Sequence, residues 1–227
     1  MTPYTLIRSK RKSIAVYIKN GSVTVKAPLR TKTDRIEAFV ASKERWIARK
    51  LHAWSERQAM LSDIVSYQRF LYLGERLQPM VVDRRSFSVQ NNALLIPSKY
   101  AANGTLAITE VAMSALKRFY RKLADAYLSE RLHEIAHDLG FSYTQFALTG
   151  AKGKWGSCDS RNRIRLNWHL VLLQSDVSDY VIVHELMHTV AHNHSRAFWE
   201  GVARFYPSYK EAIACLKDVS ALIELYA

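Results

Sequence analysis

The 227-residue chain contains no run of 18 or more apolar residues, which argues against a membrane-spanning helix. No apolar stretch follows the charges of MTPYTLIRSKRKSIAVYIK, so no export signal is expected. Cysteine is scarce: Cys158 and Cys215 are the only two and lie far apart. Without an export signal both are expected as reduced thiols in a cytoplasmic protein. There is no internal repeat and no low-complexity tract. Acidic residues are also short, with 20 Asp and Glu against 33 Lys and Arg. The imbalance is uneven: residues 1–100 hold 19 basic and 7 acidic side chains, whereas residues 101–227 hold 14 and 13. A basic half of this kind suits an acidic partner such as nucleic acid; the plainer alternative is a solvated face that aids solubility.

The remaining composition, 48% hydrophobic, is enough for one domain with a real core or two small ones. In SIAVYIKNGSVTVKAP, Ile14, Val16 and Ile18 alternate up to Asn20-Gly21, and Val23, Val25 and Ala27 alternate after it. That pattern predicts a hairpin, because both central positions of its tight turn need positive φ. Ile36, Phe39, Val40, Ile47, Leu51 and Trp54 then recur at helical spacing, with Thr or Asp near 31–34 available as cap. FLYLGERLQPMVVD and SFSVQNNALLIP read as strands, the second turning at Asn91-Asn92. The pattern becomes helical from about Thr109 to Leu139, with Gly140 just past the end. RIRLNWHLVLL (163–173) is a strand candidate flanked by the turn-like KGKWGSCDSRN. Asp176 or Ser178 can cap a helix through DYVIVHELMHTVA, and two further helices follow, separated at Pro207. The reading is an α+β fold: a basic β-rich domain over 1–105, with a small antiparallel sheet and one helix, then a mainly helical domain over 106–227 with a short sheet.

Two pentapeptides, HEIAH (133–137) and HELMH (184–188), fit a metal-binding pattern. Histidines at i and i+4 share one helix face, and the Glu beside the first can reach a water at the metal. On a helical wheel, Leu128, Leu132, Ile135, Ala136 and Leu139 cluster, and His133 and His137 fall on the polar flank. No third ligand follows them, so HEIAH is expected to be helix surface. HELMH instead sits among Tyr180, Val181, Ile182, Val183, Leu186, Met187, Val190 and Ala191, on a helix apolar nearly all round. Burying two imidazoles and a carboxylate there without partners would be costly, and a cation removes the conflict.

His194, ten residues after His184, has the spacing of a third ligand on a chain that turns back after the helix. The chain must then break near Ala191–Asn193. The related motif has Gly where this chain has Ala191, and Asn193 could supply a left-handed residue. His192 is the rival third ligand.

KWGSCDSRNRIRLNWHLVLL followed by VIVHELMHTVAHNHSRAFWEGVARFYPSYKEAIACLK resembles the YgjP-like zinc metallopeptidases, relatives of the SprT-like group. IRSKRKSIAVYIKNGSVTVKAP, FVASKERWI and YLGERL resemble the same family's opening segments, so the likeness covers nearly the whole chain. It implies a zincin-like C-terminal domain, one Zn2+ held by His184, His188 and His194, Glu185 as catalytic base, and a protein or peptide substrate. Relatives often have a larger apolar residue at Thr189, and Arg or Lys at His169.

The chemistry expected is metal-assisted hydrolysis, with the strand RIRLNW holding an extended peptide by strand addition. That placement requires Asn167 and its neighbours not to be buried in mid-sheet. His169, His192, Tyr206 and Tyr209 are candidates to steady the developing oxyanion. Ser157 or Cys158 as nucleophile is set aside, because Gly and Ser suit a turn and Cys is commonly a small buried residue. Trp46 and Trp54 among Arg45, Arg49, Lys50 and Arg57 are read chiefly as packing the helix on its sheet; stacking on bases is the alternative. Competing readings are a nucleic-acid-associated protein, whose zinc site is structural or acts on nucleic-acid-bound proteins, and an inactive zinc-stabilised scaffold. No membrane partner is expected, and the sequence leaves the oligomeric state open.

Overall fold

The computed structural model describes residues 2–19, 21–66, 70–151 and 153–218. The chain falls into two compact units, Met1–Ser62 and Asp63–Ala227.

In the first unit, β1 (Thr5–Ser9), β2 (Ala15–Lys19) and β3 (Ser22–Pro28) form a sheet of order β1-β3-β2. β2 and β3 are antiparallel, with Ile18 opposite Val23, and Gly21 has φ 71°; Asn20 lies outside the described residues. The alternating Val23, Val25 and Ala27 point to a core completed by Ile36, Val40 and Ile47. β1 pairs parallel to β3, Leu6 opposite Val25, so the sheet is mixed rather than antiparallel. Its five residues, almost all exposed, carry no alternation, and their pairing spans some twenty residues of chain that no local pattern reports.

The single expected helix is two: α1 (Thr33–Ser42) and α2 (Glu44–Ser66), broken at Lys43. The Ser42 hydroxyl donates back to the Phe39 carbonyl (2.7 Å), a bond that bends helices. The cap is Lys32, with no side-chain hydrogen bond, rather than a Thr or Asp. Trp54 lies against Gly21, where a Cβ would come within 2.6 Å of its ring, while Trp46 and Trp54 remain 36% and 37% exposed. The packing expected of both is made by Ile47 and, in part, Trp54.

The second unit opens with β4 (Phe70–Tyr72), β5 (Glu75–Val82), β6 (Ser88–Gln90) and β7 (Ala93–Pro97), in the order β4-β5-β7-β6. Asn91 and Asn92 have φ 46° and 60°, as their turn requires. A two-residue ladder, β8 (Ala101–Ala102) with β9 (Thr105–Leu106), leads to α3 (Glu110–Leu139). Thr109 caps α3 by accepting the Ala112 N–H, and Gly140 closes it at φ 73°.

The sheet that carries the site follows: β10 (Gln145–Thr149), β11 (Gly156–Cys158) and β12 (Arg163–Asn167), in the order β10-β12-β11. A 3-10 turn over Trp168–Leu172 leads into α4 (Ser175–Met187), α5 (Arg196–Phe205) and α6 (Tyr209–Asp218). Thus the strand expected over 163–173 stops at Asn167, and part of the expected turn is strand β11. The helix cap is Gln174, not Asp176 or Ser178: the Asp176 carboxylate accepts the next N–H, and Ser178 is buried, donating to the Leu170 carbonyl.

The boundary expected at 105 lies inside this unit, because Phe70, Leu77, Phe87, Leu94, Ile96 and Leu106 share one core with α3 and α4. The change to a helical pattern near 105 marks the start of α3 inside this unit.

Asn167, fully buried, fixes the loop before β11. Its side-chain amide donates to the carbonyls of Ala151 (3.0 Å) and Lys154 (2.9 Å), and its oxygen accepts the His169 N–H and Nδ1–H (3.2 and 2.7 Å). We expect Asn167→Leu, similar in size, to lose about 3 kcal/mol of stability by leaving these groups unsatisfied. A urea midpoint equal to wild type at unchanged slope would refute that role.

Candidate metal centre

α4 is buried on most sides, with Val177, Tyr180, Val181, Ile182, Val183, Leu186 and Met187 all in the core. His184 and His188 sit one turn apart at its end. The chain returns by a tightened last turn: the Thr189 N–H donates to Leu186 (2.9 Å) and the Val190 N–H to Met187 (3.2 Å). No left-handed residue is used. Asn193 has no positive φ, and its side chain accepts the Ser195 N–H (3.2 Å). Ser195 then caps α5 by accepting the Phe198 N–H, which places Phe198 beneath His184, His188 and His194 at ring-centroid distances of 5.0, 4.6 and 4.9 Å.

The outcome is a cluster of His184, His188 and His194 whose candidate ligand atoms lie within 4.8 Å of one another. His192 is not part of it. His184 Nε2 and His194 Nε2 are 3.2 Å apart, close to the roughly 3.3 Å between two nitrogens on a tetrahedral zinc. His188 Nδ1 faces the Ala191 carbonyl (3.1 Å), so it carries the proton and leaves Nε2 a lone pair. Tyr180 Oη lies 3.4 Å from His184 Nδ1, and Trp199 stacks on His194. Burial, followed by the neighbouring His188 and His194, lowers the His184 pKa to about 4. A neutral imidazole is the ligand form, so this donor set fits a divalent cation.

Glu185 is 5% exposed beside the cluster. Burial pushes its carboxyl up to about 8, against the opposing pull of the Lys154 ammonium and a hydrogen bond from the Cys158 backbone N–H. Oε2 has no hydrogen-bond partner among the described residues. Gly156 makes the approach feasible: a Cβ there would stand 2.5 Å from Glu185 Oε1. In the metal-free protein, folding favours the protonated carboxyl. Its stabilisation is therefore complete below about pH 4.5 and is lost as pH rises through about 8. We expect metal-free Glu185→Gln to melt near wild type at pH 4.5 and several degrees above it at pH 9. A melting difference independent of pH would refute the buried-carboxyl assignment.

In HEIAH, His133, Glu134 and His137 lie on the solvent-facing side of α3, with the His137 side chain 81% exposed and Glu134 bonded to Arg131 (2.8 Å). Burial and the nearby carboxylates of Glu185 and Asp159 raise the Cys158 thiol to about 11, which keeps it protonated. Cys158 and Cys215 form no disulfide. β12 is the central strand of its sheet, with Ile164, Leu166 and Asn167 fully buried, so it cannot take an added strand. Edge strand β11 packs against α4, with Gly156 against Glu185. Among the oxyanion candidates, the Tyr206 hydroxyl donates to the Asp176 carbonyl (2.7 Å) and His169 is bonded to Asn167; Tyr209 stacks on Trp199. Sequence reasoning missed Gly156, the Cys158 N–H and Phe198. WGSC and LNW were visible, but nothing local tells which helix a strand lies against.

No described helix is long and apolar enough to cross a membrane. A family model described as YgjP-like, metallopeptidase domain matches residues 12–219. No curated protein and no solved structure matches the chain.

Proposed function

The chain belongs to the YgjP-like metallopeptidase family, and from that premise we propose a zinc-dependent peptidase in which His184, His188 and His194 hold one zinc ion and Glu185 is the general base. The observation that carries the reading is the convergence of three imidazoles beside one buried carboxylate with an unpartnered oxygen. A zinc ion held there supplies Lewis acidity, activating water and polarising a peptide carbonyl. Glu185 accepts a proton from the attacking water and hands it to the leaving amine. The Cys158 N–H and the missing Cβ of Gly156 fix the carboxylate's position. An extended peptide pairs with the outer edge of β11.

Zinc per chain, by elemental analysis of wild type, His188→Ala, His194→Ala and His137→Ala, tests the site. The expected result is one zinc in wild type and His137→Ala and little in the other two. Retention in His188→Ala with loss in His137→Ala would overturn it.

A second reading concerns the first unit, where residues 1–62 carry 14 Lys and Arg against 4 Asp and Glu. Trp46, Lys50 and Trp54 follow one another at i, i+4 and i+8 on α2, all exposed. This surface suits a nucleic-acid strand, with rings for bases and cations for phosphates. Binding of a generic oligonucleotide should weaken steeply with salt and fall in Arg45→Glu/Lys50→Glu protein. Unchanged binding by that variant would remove the reading.

A further inference from the structure

A cavity lies between α3 and the segment running from the β5–β6 loop to the turn after β7. Its volume is about 550 Å3, in the range of small-molecule sites. Its apolar wall is built on a run of rings: Phe87 stacks on Tyr100 (5.4 Å, 5°) and on Phe119 (5.7 Å, 28°). Arg85 reaches the cavity from the loop, and Arg118 and Lys122, one turn apart, from α3. None of the three cations has an ion pair within the described residues, and no acidic side chain lines the cavity. The buried Ser88 hydroxyl, also on the lining, has no hydrogen-bond partner among the described residues.

Like charges gathered at the mouth of an apolar slot repel one another in the free protein and attract an anion that brings its own apolar body. Rings already in a stack favour a flat aromatic body over an aliphatic tail, since another ring extends the same offset arrangement. The metal centre uses none of these residues.

We propose that this cavity binds a small aromatic anion, its ring against Phe87 and Phe119 and its phosphate or carboxylate between Arg85, Arg118 and Lys122. The test is titration of the zinc-loaded full chain with 1-naphthyl phosphate or 1-naphthol, followed by fluorescence anisotropy, with inorganic phosphate and laurate as comparators read by displacement of the naphthyl phosphate. We expect saturable, salt-sensitive binding of naphthyl phosphate, at least tenfold tighter than of any comparator. Arg118→Ala/Lys122→Ala should weaken it tenfold or more, and Ala126→Trp, which fills the cavity while removing no cation, should abolish it. All three positions are exposed, so the variants should fold, which circular dichroism checks. Binding that is lost in His194→Ala but survives both cavity variants would place the probe at the metal centre and overturn the proposal. Equal binding of naphthol would overturn the anion site, tighter binding of laurate the aromatic preference, and no saturation at millimolar probe the site itself.

Discussion

Glu185→Gln should keep one zinc per chain and lose peptide hydrolysis by about 10²–10⁴-fold, the range that positioned proton transfer supplies. The amide matches the carboxylate in size, so the strand–helix contact at Gly156 persists. It cannot take a proton from water, and the three imidazoles are untouched. The rate should fall in kcat, with KM little changed, because the lost interaction belongs to the transition state. Hydrolysis of an unstructured protein such as casein, measured beside zinc content, checks both halves. A variant that keeps both its zinc and its rate would remove Glu185 from the proposed chemistry. One that loses its zinc would make the carboxylate a structural support of the metal.

The second large effect is expected at a residue that touches no metal. In Gly156→Ala the new methyl would stand 2.5–2.8 Å from Oε1, Cγ and Cδ of Glu185. Gly156 has no positive φ, so its backbone accepts Ala without strain and the whole cost is the collision. The Glu185 side chain is buried and cannot swing into solvent. Either the carboxylate leaves its place or β11 moves from α4. An overpacked site of this kind loses about 1–3 kcal/mol, and a catalytic group misplaced by an ångström costs on the order of 10²-fold in rate. The double variant separates collision from other causes. In a Glu185→Ala background, Gly156→Ala should cost almost nothing in stability, giving a coupling of 1 kcal/mol or more. Additive losses would show that Gly156 serves something other than room for Glu185.

How far the sequence reached is clearest element by element. The 18–23 hairpin, the Asn91-Asn92 turn and both ends of α3 follow from φ preferences and caps, which act over a few residues. The difference in burial between HEIAH and HELMH was legible for a similar reason: apolar residues at helical spacing decide which face is buried, whatever lies opposite. Spacing also favoured His194, and the structure brings it to His184 and His188. Elements that depend on distant partners were missed or misread. β1 and β10 join their sheets by parallel pairing with strands well along the chain, and β12 looked available to a substrate until neighbours appeared on both its edges.

The sequence by itself therefore determined the local pieces: a helix too apolar to stand alone, histidines one turn apart on it, and a third at a spacing that demands a return of the chain. Only the tertiary structure decided how that return is made, that Phe198 floors the three imidazoles, and that Gly156 and the Cys158 N–H meet Glu185 across a strand–helix contact. The division has one physical cause. Dihedral preference and side-chain periodicity are written in neighbouring residues, whereas which surfaces meet depends on packing summed over the whole core.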